Sequence, residues 1–111
     1  MSTRLNARLW VSSLLRRVNQ VGDFATVVKK GDETAGQVIL VARRRNGHMQ
    51  VFTRAMNSTG DYSWTVAIAK DQEELVKINE YLERQARYDP DLWIIELDTD
   101  NPERFVDDEL I

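Results

Sequence analysis

Apolar residues recur at spacings of three and four from Leu5 to Val21, where Leu9, Leu14, Leu15, Val18 and Val21 gather on one side of a helix and Arg8, Ser12, Arg16 and Asn19 on the other. The stripe predicts an amphipathic helix, and Gly22 is placed to close it in the left-handed conformation. Strand-like runs follow. Phe24 to Lys30 and Gln37 to Arg44 are rich in β-branched residues. Asn46-Gly47, which suits a tight type I′ hairpin turn, separates the second run from Met49 to Arg54. After a loop at Asn57 to Asp61, Tyr62, Trp64, Val66 and Ile68 alternate with small residues up to Ala69, predicting a strand with its large side chains on one face. Asp71 with Glu74 approximates a capping box and opens a second helix to about Arg87, whose core stripe is Leu75, Ile78, Leu82 and Ala86. Pro90 disfavours helical geometry at Asp89, and Leu92 to Leu97 forms a last apolar strand.

This order, helix-strand-strand-strand-strand-helix-strand, predicts an α+β fold: a single antiparallel sheet of about five strands with two helices on one face. Such a layer leaves much of its second face open, either polar or covered by a partner or a second copy. The expected organisation is one domain over 1–98, followed by an acidic C-terminal tail over 99–111 with Phe105, Val106, Leu110 and Ile111 scattered among its acids. That tail is expected to be a solvated end, to fold back on the basic hairpin or to dock on a partner.

Charge sharpens the picture. Residues 1–54 hold ten Lys/Arg against three Asp/Glu and residues 55–111 hold five against fifteen, within a net charge of −3. The chain contains no cysteine, which excludes disulfides, thiolate nucleophiles and cysteine-ligated metals. Its longest apolar runs, Val38 to Ala42 and Val66 to Ala69, are far short of the ~20 residues that span a bilayer. A cytoplasmic protein without membrane contact is expected.

Leu9-Trp10-Val11 through Arg16-Arg17, Lys30-Gly31-Asp32 through Ala35-Gly36, and Arg87-Tyr88-Asp89-Pro90-Asp91-Leu92-Trp93 together resemble a family of small alphaproteobacterial proteins whose domain has no assigned function. Asp-Pro-Asp-Leu-Trp is the most specific of these segments. The resemblance implies a bacterial single-domain α+β protein and carries over no activity, substrate or catalytic residue.

The candidate chemistry is sparse. His48, the one histidine, follows the hairpin turn with no nucleophile beside it in sequence and reads as an exposed turn residue. Ser12 and Ser13 lack a nucleophile elbow. Asp89, Asp91, Glu96, Asp98 and Asp100 invite a cation, but no glycine-containing twelve-residue calcium loop surrounds them, so no metal and no cofactor is expected. Gly31 to Gly36 carries acids where a phosphate would have to approach. Trp10, Trp64 and Trp93 fall on three elements, as shared core anchors would; a tryptophan-lined pocket is the sharper alternative.

The primary functional reading is therefore a non-enzymatic interaction or self-associating module, its partner an unknown protein or a second copy. The first alternative is a nucleic-acid-associated protein using Arg16, Arg17, Lys29, Lys30, Arg43, Arg44 and Arg45, with Phe52 as a stacking platform. The second is a small enzyme with a carboxylate acid and base.

Overall fold

The computed structural model describes residues 7–34, 36–56, 62–70 and 75–106, and the backbone alone at 55–56, 62–63 and 65–70. The Asp71/Glu74 cap, the Asn57 to Asp61 loop, the side chains of Tyr62, Val66 and Ile68, and Leu110 and Ile111 lie outside that description.

The elements are α1 (Ala7–Gln20), β1 (Phe24–Lys29), β2 (Val38–Arg43), β3 (Met49–Met56), β4 (Tyr62–Lys70), α2 (Leu75–Tyr88), β5 (Trp93–Asp98) and a short 3₁₀ turn, Pro102–Phe105. In α1 the buried residues are Ala7, Val11, Leu14 and Val18, at spacings of four, three and four. Leu9 stands five positions from Leu14, off this face, and is exposed. Gly22, at φ +86°, closes the helix. Its N–H bonds to the Asn19 carbonyl and the Asp23 N–H to the Val18 carbonyl, both at 3.1 Å, the paired bonds of a Schellman motif.

The sheet is mixed, not antiparallel. Its order is β1-β5-β2-β3-β4, and β5 lies parallel to β2 while the other neighbours are antiparallel. The reason lies in α2. Because β2, β3 and β4 form an up-and-down meander, β4 runs in the same direction as β2, and a chain leaving β4 must return along the sheet before it can start another strand in that direction. The helix makes that return and delivers β5 between β1 and β2.

The two helices also lie on opposite faces rather than one. Ala7, Val11, Leu14 and Val18 of α1 pack with Val38, Leu40, Ala42, Trp93, Ile95 and Leu97. Ile78 of α2 packs with Ile39, Val41 and Ile94, the alternate positions of the same strands, and with Met49 and Val51 of β3. Both central strands are thus buried on both sides, which calls for the uninterrupted apolar runs Val38 to Ala42 and Leu92 to Ile95. Neither face of these two strands is open to motivate a partner there.

The hairpin between β2 and β3 differs in detail from the expected two-residue turn. Arg44 N–H bonds to the His48 carbonyl at 3.0 Å, and Gly47 N–H to the Arg44 carbonyl at 3.0 Å, so the loop has three residues, Arg45 to Gly47. Gly47, at φ +91°, supplies the left-handed position that a three-residue loop requires at its end. Past β5 the chain re-enters the core, where Phe105 and Val106 join the α1-side cluster.

Candidate functional site

Two of the sequence segments that carry the family resemblance meet in space. The loop after β1 crosses over Asp91 to Trp93: Asp32 N–H bonds to the Asp91 carbonyl at 2.9 Å, and the Trp93 indole N–H to the Asp32 carbonyl at 2.7 Å. A Cβ on Gly31 would fall 2.7 Å from Trp93 Cδ1, and one on Gly36 2.9 Å from the same atom, with the Asp91 carbonyl closer still to both. Only glycine fits at that approach. Lys29 Nζ donates to the carbonyls of Pro90 (2.7 Å) and Leu92 (3.0 Å), and the carbonyls of Glu33 and Thr34 accept the first N–H groups of α1, from Arg8 and Ala7. These motifs form a clasp joining α1, the loop and the start of β5, and their residue types follow from packing.

The basic residues do not gather. Arg16 and Arg17 lie on α1, and Lys29 pairs in register with Ile94 near the start of β5, whereas Arg43 pairs with Asp98 at its end. Lys30 approaches Glu33 at 3.4 Å and Arg43 approaches Glu96 at 3.6 Å. At the hairpin, Arg44 Nη2 bonds to Glu103 Oε2 at 2.6 Å and Nη1 to the Asp100 carbonyl. The Arg45 backbone N–H donates to Asp100 Oδ1 at 2.9 Å. The basic hairpin and the start of the acidic stretch therefore meet each other. Phe52 is 4% exposed and packs in the α1-side core, so its ring is not presented to a base.

The tryptophans share that core. Trp93 is buried in it, while Trp10 and Trp64 pack against it with ring centroids 5.6 Å apart. A cleft of about 240 Å³ lies between α2 and the sheet, lined by Gln37, Ile39, Thr53, Tyr81, Gln85 and Leu92 among others. It is smaller than the ~300 Å³ at which small-molecule sites begin. Among the described residues no group of three or more His, Cys, Asp or Glu could hold a metal ion.

The feature that packing does not explain is β1. Among the described residues it ends the sheet on one side, so alternate backbone N–H and C=O groups point away from β5 with no described strand beside them. Phe24 is 69% exposed, Val28 58% and Val27 37%. A bulge between Val27 and Lys29 displaces Val28 from the ladder. Sequence reasoning identified the strand but not its place at the edge. No signal in the run marks the edge, because an apolar run without a polar face is equally the pattern of a strand covered on both sides.

Comparison with known proteins agrees with this architecture. A family model described as "Protein of unknown function (DUF1491)" matches residues 5–107. The chain belongs to the DUF1491 family. Among solved structures, a crystal structure of a DUF1491 protein from Caulobacter crescentus is 36% identical, with a TM-score of 0.82 over 93% of this chain and 95% of that one. The solution structure of protein Atu0922 from A. tumefaciens is 33% identical, with a TM-score of 0.79 over 94% and 93%. No curated protein matches the chain. The family resemblance read from the sequence is thus correct, down to its alphaproteobacterial relatives.

Proposed function

We propose that this DUF1491 protein is a protein-interaction module whose contact surface is the open edge of its sheet at β1. The observation that supports the reading is the exposure of Phe24, Val27 and Val28 on a strand whose outer backbone groups have no neighbouring strand among the described residues. An apolar, unpaired edge is a template for adding another strand, and proteins that do not use such an edge blunt it or cover it. Here Lys29, which could have blunted it, is drawn inward onto the Pro90 and Leu92 carbonyls.

A photo-crosslinking residue at position 26, expressed in the native cell, is expected to give adducts that disappear with Phe24→Lys. Adducts unaffected by that substitution, or none at all, would remove the reading. The nucleic-acid alternative draws less support, because the Arg44 guanidinium is held by Glu103 and the Asp100 carbonyl, and phosphate binding needs clustered, available cations.

A further inference from the structure

We propose that the cleft between α2 and the sheet binds a guanidinium group, carried by an arginine side chain or by a small free molecule with the same head. It does not draw on the reading of β1, which β5 separates from this part of the sheet. Tyr81, Gln85 and Asp89 line the cleft at spacings of four, one row along α2 that the 3.0 Å bond from the Asp89 N–H to the Gln85 carbonyl carries past the end of the helix. Across from them Thr53 pairs with Ile39, and Gln37 stands two positions before Ile39, so all three belong to the α2 face of the sheet.

A helix laid on a sheet closes such a gap with apolar side chains. Here Ile78 is the one fully buried residue of α2, backed by Leu75 and Leu82, whereas the row on the cleft is Tyr81 and Gln85, both half-buried. Packing alone would favour apolar residues at both. No hydrogen bond among the described residues occupies the side chain of Gln37, Tyr81 or Gln85. Polar groups thus converge on a wall formed by the buried Ile39 and Leu92, the arrangement of a binding site rather than of a sealed core.

The lining selects the ligand. Asp89 brings the charge, because the Arg54 guanidinium lies over the Trp64 ring, 5.7 Å from its centre, and Trp64 packs on the α1 face. Asp89 Oδ1 accepts from the Asp91 N–H at 3.1 Å, and the carboxylate keeps lone pairs for a further donor. The cleft also lies at the C-terminal end of α2, where the last carbonyls favour a cation. The chain's own cations leave that place open: Arg87 is exposed outside the lining, and Lys29 is held by the Pro90 and Leu92 carbonyls from the β1 side of β5. An ammonium is strongly hydrated and a point charge, whereas a guanidinium is weakly hydrated, spreads its donors in a plane and stacks on an aromatic ring. It therefore suits a carboxylate, two amide oxygens and the Tyr81 ring together. The volume of about 240 Å³ fits such a head group rather than a larger ligand.

The test titrates N-acetyl-L-argininamide into the isotopically labelled full chain, followed by NMR. Saturable shifts of the Gln37 and Gln85 side-chain amides are expected, with a Kd on the order of a millimolar. The citrulline analogue, similar in shape but uncharged, should bind on the order of tenfold more weakly, and Asp89→Asn, which keeps an acceptor for the Asp91 N–H, should weaken the arginine probe by a similar factor. No saturation by about 50 mM probe, equal binding of the citrulline analogue, or indifference to Asp89→Asn would each overturn the assignment. The citrulline comparison needs no variant, so it decides the matter even if the turn at Asp89 is disturbed. Free L-arginine binding more tightly than the blocked probe assigns the site to a free metabolite, and equal or weaker binding assigns it to an arginine side chain of a partner; both results keep the guanidinium.

Discussion

Replacing Phe105 by alanine tests whether the chain beyond β5 is part of the folded unit. The ring is 2% exposed, packed in the cluster that α1 forms with β2 and β5. The Arg17 guanidinium lies over it, 5.7 Å from the ring centre. Truncating a fully buried phenylalanine costs about 3–5 kcal/mol, combining lost transfer free energy with a cavity that the surroundings only partly fill. The lost cation–π contact lies within that range, at about 0.5–1 kcal/mol. Against a total stability of about 5–15 kcal/mol this is a large fraction. In urea unfolding followed by tryptophan fluorescence, a slope of about 1.5–2 kcal/mol/M converts it to a midpoint lowered by roughly 2 M. The neighbouring Glu103→Ala removes only a half-exposed partner of Arg44 and should move the midpoint little. A shift below about 0.5 M for Phe105→Ala would mean that the segment rests on the domain without contributing to its core, and the reasoning would fail.

Three further outcomes follow from the same geometry. Gly31→Ala forces a Cβ into the Asp91 carbonyl and the Trp93 ring, so overpacking of about 1–3 kcal/mol should lower the thermal midpoint by roughly 5–15 °C, whereas Gly22→Ala, with open space around it, pays only for its positive φ. Equal midpoints for Gly31→Ala and the parent chain would refute the clasp. Trp93→Phe replaces the buried indole by a smaller phenyl ring and strips the donor from the Asp32 carbonyl, so the lost bond and the space left behind should together cost at least about 1–2 kcal/mol by chemical denaturation; an unchanged midpoint would show that neither contributes net stability. A double-mutant cycle on Arg44 and Glu103, whose side chains are 25% and 50% exposed, should give a coupling of at most about 1 kcal/mol that declines with added salt, and a larger, salt-insensitive value would contradict the assignment of a solvated pair.

The amino-acid sequence determined the type and order of the elements, because apolar spacing near 3.6 or 2 records which side of each element is hidden. It placed Gly22 and Gly47 where the backbone turns left-handed, and it carried the family resemblance in segments that prove to touch. Tertiary structure alone decided that α1 and α2 take opposite faces, that β5 enters between β1 and β2, and that β1 is left at the edge. The physical reason is that periodicity states how much of an element is buried but not by what. A run such as Val38 to Ala42 announces burial on both sides, yet the identity of the covering layers depends on contacts dozens of residues away. The same holds for charge: Arg44 and Glu103 are 59 residues apart in the chain and meet only because β2 and β5 lie side by side.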